Sequence, residues 1–302
     1  MSSRCRSRRG HQRGLVIPGR GGPHRPQDQW VWQPHTTPAG FPDRASGGTP
    51  GSGLRRYVGA MIRVAAVGDL HFGLDSGGSL RPQLESLPEV ADALLIAGDL
   101  THDGDPDQAH VVASEVADLG VPVVAVLGNH DYGLDQEEEI ARIVTDAGVT
   151  VLEGSGVTLE VDGHRIGIAG TKGFVGGWPP YWHAAGEPEV RALLGRTKQL
   201  ADGLERSLAA LDADVRVALL HYSPVEATIA NDPPQLWPWL GSYMLADAID
   251  HSGADLALHG HVHLGIHRGE TPGGVPVRNV SQLLLGRPFM LLRLEPERGL
   301  IE

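Results

Sequence analysis

The stretch Met61-Ile-Arg-Val-Ala-Ala-Val-Gly-Asp-Leu-His71 decides the fold class of this chain. Its apolar run, at residues 63–68, is typical of a buried strand, and similar runs recur at residues 93–97, 122–127, 215–220 and 255–258. Helix-like segments that begin at Asp105, Asp135 and Glu187 separate these runs. Alternating strands and helices predict an α/β body in which helices cover the sheets.

Two local signals give the boundaries of further elements. The segment from Asp105 to about Leu119 begins with acidic residues in its first turn, which is typical of a helix N-terminus. Residues 157–168 alternate in polarity on both sides of Asp162-Gly163, which predicts a β-hairpin that turns at this pair.

Each of the five predicted strands runs directly into a block of potential ligands. The blocks are Gly68-Asp69-Leu70-His71, Gly98-Asp99-Leu100, Gly128-Asn129-His130-Asp131, His221-Tyr-Ser-Pro224 and Gly260-His261-Val262-His263. Ligand groups converge at strand ends in α/β sheets, so we expect these blocks to meet. Oxygen and imidazole donors without a thiolate are the ligand set of Mn²⁺, Fe or Zn²⁺ rather than of Ca²⁺.

The spacing of the blocks strengthens this interpretation. Asp69 and His71 are two residues apart, as are His261 and His263, and such pairs on extended backbone point to one side. Asp99 follows Asp69 by 30 residues, and Asn129 follows Asp99 by the same interval, which is one strand–helix–strand unit. A single block of this kind also fits an ordinary turn, so the prediction of a metal site rests on the ordered set.

Composition and charge narrow the class of partner. The chain has 302 residues with 25 Lys and Arg against 37 Asp and Glu. Residues 1–60 carry a net charge of +8, which leaves −20 for residues 61–302. Nucleic acid is disfavoured as a partner, since its binding depends on Lys and Arg that displace counterions.

Cysteine content and hydropathy predict a soluble, cytoplasmic protein. The single cysteine, Cys5, excludes an intrachain disulfide framework and a thiolate zinc cluster, which favours a reducing compartment. No stretch approaches the roughly 20 apolar residues that cross a bilayer.

The first sixty residues show neither helical nor strand periodicity and are rich in Gly and Pro. We expect residues 1–60 to be a disordered basic extension and residues 61–302 to be one domain. Arg8-Arg9 also fits the start of a twin-arginine export signal, although the apolar stretch Leu15–Ile17 is too short for one. A basic arm for RNA or membrane is a further alternative. Met61 is a candidate for the true initiator, because the first strand begins directly after it.

In this order, the blocks resemble the motifs of the calcineurin-like metallophosphoesterases, which are Asp-x-His, Gly-Asp, Gly-Asn-His-Asp/Glu, a lone His and Gly-His-x-His. The resemblance covers essentially residues 61–302. The segments Gly170-Thr-Lys-Gly-Phe174, His221-Tyr-Ser-Pro224 and His259-Gly-His-Val-His263 look more closely like a bacterial phosphoesterase subgroup. The resemblance implies a four-layer α/β/β/α sandwich of two mixed sheets with a dinuclear metal centre at the strand ends.

The resemblance also implies a ligand set and a reaction. Metal one would be held by Asp69, His71, Asp99 and His263. Metal two would be held by Asp99, Asn129, His221 and His261. With Asp99 bridging two divalent ions, a bridging hydroxide would attack a phosphate ester in line. Mn²⁺ is the expected metal, and Fe and Zn²⁺ remain open.

His130 is the expected catalytic residue beyond the ligands, either protonating the leaving oxygen or stabilising developing charge. Many relatives place an Asp three residues after the bridging Asp, followed by an Arg that grips phosphate. Here that position is His102, Asp103 comes one later as a candidate partner for His130, and no Arg follows. A missing guanidinium clamp favours a small phosphodiester, such as a cyclic nucleotide, over a phosphoprotein.

Substrate contacts are expected from Asn129, His130 and the tryptophans of two Pro-rich loops. Trp178 and Trp237 can stack on a ring of the substrate, or they can anchor the loops 178–182 and 231–239 to the body. Lys172 is a weaker candidate of the same kind.

Three other functions compete with a phosphodiesterase of small molecules. A phosphomonoesterase or nucleotidase uses the same metal blocks, and so does a DNA nuclease, although the acidic body opposes the latter. A non-catalytic scaffold of the same fold is the third, and the complete ligand set argues against it. The natural substrate and the oligomeric state stay open.

Overall fold

The structure, a computed structural model, describes residues 61–178, 186–296 and 298–301. The predictions for the extension 1–60 and for most of the aromatic loop 178–182 therefore lie outside the described residues.

Within the described residues, strands and helices alternate over the first part of the chain, and strand-only stretches follow later. The strands are β1 (Ile62–Val67), β2 (Ala93–Ala97), β3 (Val123–Val126), β4 (Val149–Val151), β5 (Ser155–Val161), β6 (His164–Thr171), β7 (Val215–Leu220), β8 (Leu256–His259), β9 (Arg268–Glu270), β10 (Pro276–Asn279), β11 (Met290–Glu295) and β12 (Gly299–Ile301). The helices are α1 (Arg81–Leu84), α2 (Leu87–Val90), α3 (Pro106–Val116), α4 (Glu137–Asp146), α5 (Pro188–Ala210), α6 (Trp237–Leu240), α7 (Tyr243–Ser252) and α8 (Gln282–Leu285). Single 3₁₀ turns occur at His130–Tyr132 and Glu226–Thr228.

The strands form two mixed sheets of six. The order in the first sheet is β12-β11-β1-β2-β3-β4, in which β1 to β4 are parallel and β11 runs antiparallel to β1. The order in the second sheet is β5-β6-β7-β8-β10-β9, with a parallel centre and antiparallel strands at both edges. The expected pair of mixed sheets is therefore confirmed.

Alternation along the strands divides the core into layers. In β1, Ala65 and Val67 face a core shared with α1 to α4, whereas Val64 and Ala66 face the second sheet. The outer face of the second sheet packs against α5 and α7, with Leu204 among its fully buried side chains. Because neighbouring strand residues point to opposite faces, this pattern produces the α/β/β/α order of layers that was predicted.

The structure contains the predicted hairpin turn at Asp162-Gly163 and the predicted helix start at Asp105. Asp162 and Gly163 both take left-handed backbone conformations, with φ of 48° and 81°, which matches a tight hairpin turn between β5 and β6. The Asp105 carboxylate accepts the Asp107 N–H at 2.9 Å and caps α3, which begins at Pro106. This helix ends at Val116, three residues before the predicted end, because the backbone turns extended at Ala117 and left-handed at Asp118.

The parallel strands of both sheets end at one common edge of the molecule. The carboxyl ends of β1, β2 and β3 in the first sheet meet those of β7 and β8 in the second. All five ligand blocks follow these strands, so the topology gathers them at a single edge.

Candidate metal centre

Four of the predicted ligands sit on unusual backbone. Asp69, His71, Asp99 and His261 have φ of 57°, 46°, 49° and 68°, in a region that residues other than glycine seldom occupy. Cross-strand hydrogen bonds hold two of these turns, since the Asp69 N–H donates to the Gly98 carbonyl at 2.9 Å and the His71 N–H donates to that of Asp99 at 3.0 Å. Strained backbone that tertiary contacts maintain is typical of functional sites.

Two glycines that precede predicted ligands allow a carboxylate to approach the backbone closely. A Cβ on Gly128 would lie 2.1 Å from Asp99 Oδ1, and one on Gly260 would lie 2.7 Å from Asp69 Oδ2. Neither glycine has a positive φ. Their role is therefore to leave room for two buried carboxylates.

The first ligand group consists of Asp69, His71 and His263. His263 Nε2 lies 3.4 Å from both Asp69 Oδ1 and His71 Nε2, and His71 Nε2 lies 3.6 Å from Asp99 Oδ2. Two ligands about 2.1 Å from one ion lie about 3 Å apart when they occupy adjacent octahedral positions. The spacing of these atoms suits a single divalent ion.

The second ligand group consists of Asp99, His221 and His261, with Asn129 beside them. His221 Nε2 lies 3.3 Å from Asp99 Oδ1 and 2.9 Å from Asn129 Oδ1. Asp99 therefore presents Oδ1 to this group and Oδ2 to the first, as a carboxylate shared by two ions requires.

The hydrogen bonds around His221 test whether a cation fits the second group. His221 Nδ1 lies 2.9 Å from the Ala97 carbonyl oxygen, and a proton on Nδ1 leaves the Nε2 lone pair free. That lone pair then faces the Asn129 carbonyl oxygen, which is also an acceptor. Two acceptors at this distance repel unless a proton or a metal cation lies between them, so the arrangement fits a metal ion.

His261 is held in a similar way. Its Nε2 lies 3.3 Å from the carbonyl oxygen of Trp239 and can donate to it, which leaves Nδ1 as the free ligand atom. The His261 backbone N–H donates to both carboxylate oxygens of Asp69, at 2.8 and 2.9 Å. These bonds tie the fifth block to the first.

The surroundings of the ligands shift the pKa values of four of them. Burial alone would raise the pKa of Asp69, but the hydrogen bond from His263 and the nearby His221 hold it below its usual range. The hydrogen bond to Asp69 raises the pKa of His263. Burial lowers the pKa of His71, and it lowers that of His261 to about 3. An ionised carboxylate and a neutral imidazole are the states that bind metal, so these shifts favour metal binding at Asp69, His71 and His261, whereas the raised pKa of His263 opposes it.

His130 lies at the ligand cluster and is held by two contacts. Its backbone N–H donates to Asp99 Oδ1 at 2.8 Å, and its ring lies 4.5 Å from that of His71. Its Nδ1 lies 2.5 Å from the carbonyl oxygen of His102, which orients the imidazole.

His130 contacts a different group from Asp103, the residue predicted to orient it. Asp103 is exposed, and within the described residues no hydrogen bond joins its carboxylate to His130. The loop after β2 turns so that the preceding carbonyl, that of His102, faces the imidazole instead. A backbone acceptor leaves no side-chain signal in a sequence.

Asp131 was missed as a functional residue, although it closes the third block. It is fully buried and accepts hydrogen bonds from the backbone N–H groups of Leu100, Thr101 and Gly128 and from the Thr101 hydroxyl. Burial raises the pKa of this carboxyl, and these donors oppose the rise. The side chain therefore joins the loop that carries Asp99 to the loop that carries Asn129.

The predicted aromatic contacts are placed differently from expectation. Trp178 lines a cavity of about 340 Å³ with Pro224 and Tyr243, and none of the predicted metal ligands lines it. Trp237 donates its indole N–H to the Asp232 carbonyl at 2.8 Å, so it anchors its own loop. Trp239 is 53% exposed, and its carbonyl contacts His261. Helix α6 therefore contacts the site through the backbone of Trp239.

Two charged residues next to the ligands complete the site. The Lys172 ammonium lies 3.8 Å from the centre of the Tyr132 ring, and burial lowers its pKa. Its carbonyl accepts the His221 N–H at 3.2 Å, which fixes it beside the second ligand group. Asp232 is buried, and its Oδ2 has no partner in the described residues. Its charge helps to raise the pKa of His263.

A comparison with protein families identifies the class to which this chain belongs. The chain belongs to the calcineurin-like phosphoesterase family, whose sequence model matches residues 62–265. Residues 62–265 therefore form a metallophosphoesterase domain, the type of domain found in hydrolases that act on phosphoric ester bonds.

Individual relatives are distant. A protein of Synechococcus sp. named "probable cyclic nucleotide phosphodiesterase" is 32% identical over 92 residues, which is 27% of this chain and 34% of that protein, so the match spans about a third of its length. The fold resembles that of phosphopantetheinyl hydrolase from Mycobacterium tuberculosis, with a TM-score of 0.54, 18% identity, and coverage of 74% of this chain and 90% of the other. It also resembles GAP50, the anchor in the inner membrane complex of Plasmodium, with a TM-score of 0.51, 12% identity, and coverage of 79% and 86%.

These structural likenesses concern the fold alone, since one neighbour is named a hydrolase and the other an anchor. The assignment to an enzyme family therefore rests on the family match and on the named relative. In the described residues, no helix combines the length and the apolar character needed to cross a membrane.

Proposed function

We propose that this chain is a metal-dependent phosphodiesterase that hydrolyses a small phosphodiester, such as a cyclic nucleotide, in the cytoplasm. The observation that carries the proposal is the pair of ligand groups that share Asp99 through its two different oxygens. One carboxylate between two histidine-containing groups is the arrangement that a dinuclear hydrolase needs.

In this proposal the first ion is held by Asp69, His71, Asp99 and His263, and the second by Asp99, Asn129, His221 and His261. Two divalent cations, Mn²⁺ by preference, would supply Lewis acidity and lower the pKa of a water molecule towards about 7. The protein keeps the Asp69 carboxylate ionised and, through the Ala97 and Trp239 carbonyls, leaves one nitrogen free on His221 and on His261.

His130 is the proposed general acid. A proton on Nδ1 shared with the His102 carbonyl leaves Nε2 directed away from that loop. The ring packs edge-on to His71, and the backbone N–H touches the shared carboxylate, so the imidazole lies beside the ligand cluster. From there it can hold a proton for the leaving oxygen. The His102 carbonyl is the positioning group.

The charges near the ligands support a diester substrate. Lys172 is a basic side chain whose charge interacts with Asp99, and its ammonium is held over an aromatic ring. A point charge of this kind suits a phosphodiester, which carries one charge, better than a dianion that a bidentate guanidinium would clamp. The name of the Synechococcus relative also favours a cyclic nucleotide.

Trp239 is exposed, and its backbone carbonyl lies 3.3 Å from His261 Nε2, so its side chain is a further candidate to stack on the ring of such a substrate.

The test compares hydrolysis of bis(p-nitrophenyl) phosphate and p-nitrophenyl phosphate by the full chain with added Mn²⁺. Asp99→Asn is the matched control, since it keeps the size of the side chain and removes its charge. We expect preference for the diester in the native chain and loss of activity in the control. Preference for the monoester would refute the choice of a diester. Activity that is equal in Asp99→Asn would refute the metal centre.

A further inference from the structure

The segment 228–239 is attached to the chain just beyond the fifth ligand block. The Ile266 N–H donates to the Thr228 carbonyl at 2.8 Å. The side-chain amide of Asn231 donates to the Gly265 carbonyl at 3.3 Å. Because Gly265 comes only two residues after the last ligand of the block, the first half of the segment lies close to that ligand.

The second half of the segment reaches the same block. The Trp239 carbonyl oxygen lies 3.3 Å from His261 Nε2. Between the two attachments, the Asp232 backbone makes two hydrogen bonds: its carbonyl accepts the indole N–H of Trp237 at 2.8 Å, and its N–H donates to the Ile229 carbonyl at 2.8 Å. The backbone of Asp232 is therefore held in place beside the block.

The carboxylate of Asp232 is buried without a partner. The residue is 9% exposed, and its Oδ2 accepts no hydrogen bond from the part of the chain that the structure describes. An aspartate in a loop commonly accepts the N–H group two residues further on. Here the next two residues are Pro233 and Pro234, and proline has no N–H. The sequence thus removes the usual local donors of this carboxylate.

A buried carboxylate without a donor is unfavourable, and such a group in a folded protein points to a missing partner. The pKa of His263 is raised by its hydrogen bond to Asp69 and also by the charge of Asp232, which places Asp232 near the first ligand group. Among the described residues, the groups that could hold a metal ion do not include Asp232. A phosphate oxygen would be repelled by it. The partner that fits is a hydrogen-bond donor on the substrate, next to its phosphate.

We propose that Asp232 is a specificity-determining residue, which accepts a hydrogen bond from a sugar hydroxyl beside the phosphodiester of the substrate. The inference rests on the proposed function, because the phosphate must lie at the metal centre for its neighbour to reach Asp232. In a 3′,5′-cyclic nucleotide the 2′-hydroxyl is on the carbon next to an esterified one. Carboxylates bind ribose hydroxyl groups in this way in dinucleotide-binding folds.

The experiment compares kcat/KM for 3′,5′-cyclic AMP and for its 2′-deoxy analogue, with the full chain and added Mn²⁺. Bis(p-nitrophenyl) phosphate serves as a diester without any hydroxyl. The test variants are Asp232→Ala and Asp232→Asn, of which the second keeps the size of the side chain and one acceptor oxygen. Glu226→Gln is the matched control, because Glu226 is an exposed acidic residue in the turn Glu226–Thr228 at the start of the same segment.

We expect the native chain to prefer 3′,5′-cyclic AMP to the deoxy analogue by at least about tenfold, because the analogue leaves the carboxylate unpaired. In Asp232→Ala this preference should fall to within about twofold, and in Asp232→Asn it should fall by about threefold. The loss in Asp232→Ala should be at least about tenfold larger for cyclic AMP than for bis(p-nitrophenyl) phosphate. Glu226→Gln should keep the native preference.

Equal hydrolysis of the two nucleotides by the native chain would overturn the proposal, and so would a native preference in both Asp232 variants. A loss in Asp232→Ala that is equal for all three substrates would also overturn it, since it would show that Asp232 acts on the metal ligands and not on the substrate. Hydrolysis of bis(p-nitrophenyl) phosphate but of neither nucleotide would refute the sugar hydroxyl alone. Hydrolysis of none of the three would refute the proposed function itself.

Discussion

Replacing Asp131 by Asn tests whether the buried carboxylate holds the candidate metal centre together. The carboxylate accepts four hydrogen bonds, at 2.7 to 3.1 Å, from Leu100, Thr101 and Gly128. An ionised carboxylate accepts at both oxygens, whereas an amide presents one acceptor and one donor. Whichever way the Asn side chain turns, its NH₂ group faces at least one buried backbone N–H that then has no acceptor.

The cost follows from the number of lost bonds. One or two unsatisfied buried donors, together with the loss of charge-assisted bonds, amount to about 2–4 kcal/mol. A domain of this kind has a total stability of about 5–15 kcal/mol, so the variant should still fold at 25 °C. Because Leu100 and Gly128 flank Asp99 and Asn129, we also expect metal affinity to fall by about 10–100-fold.

Two measurements check this prediction: urea unfolding at pH 7 and calorimetric titration with Mn²⁺. Thr101→Val is the matched control, since it removes the hydroxyl bond and leaves the carboxylate and its three backbone donors in place. It also removes the acceptor of the Gly104 N–H, so a cost of about 1–2 kcal/mol is expected. An Asp131→Asn variant with native unfolding free energy and native Mn²⁺ affinity would refute the reasoning.

Three further predictions follow from single side chains. His130→Ala should retain bound metal, measured by elemental analysis, and lose about 10²–10⁴ in turnover of bis(p-nitrophenyl) phosphate; unchanged turnover would remove it from the mechanism. Lys172→Met should raise the KM for a diester more than it lowers kcat, and steady-state kinetics that show the reverse would contradict a role in binding. Glu115→Gln should lower the unfolding free energy at pH 7 by about 1–3 kcal/mol, because this buried carboxylate accepts the N–H groups of Leu80 and Arg81 at 2.9 and 2.6 Å. Burial raises the pKa of Glu115, but these hydrogen bonds outweigh burial and lower it. The stabilisation by Glu115 is therefore present above the unfolded pKa of about 4.3 and is lost as the pH falls further. The difference in unfolding free energy between variant and native chain should shrink at low pH, and a constant difference in urea unfolding would contradict this account.

Local chemistry explains why much of the fold was predictable. The run from Val64 to Val67 is apolar on both faces because it is covered on both sides, by helices and by the second sheet. The turn at Asp162-Gly163 and the cap at Asp105 depend on neighbours within a few residues. The basic segment 1–60 and the organisation into one domain stay predictions.

The candidate ligands were predictable for a related reason. Each follows a strand directly, so the parallel order of β1, β2 and β3 brings Asp69, Asp99 and Asn129 to one edge. The structure places the seven proposed ligands within one cluster, and their roles remain a proposal until metal binding is measured.

Contacts that join distant segments could not be deduced from the sequence. His130 is oriented by the backbone carbonyl of His102, and a carbonyl is present at every position of every chain. His261 likewise contacts a backbone carbonyl, that of Trp239, and the path of the chain at helix α6 decides which carbonyl lies there.

By itself, the sequence of this protein determined the alternation of strands and helices, the chemical type of the candidate ligands and their order along the chain. These depend on side-chain chemistry and on short spacings, which a linear chain already contains. The packed structure alone shows which oxygen of Asp99 faces which histidines, and that Asp131 joins two loops. Strand register and the packing of one sheet on the other set these contacts, and both arise from interactions between residues far apart in the chain.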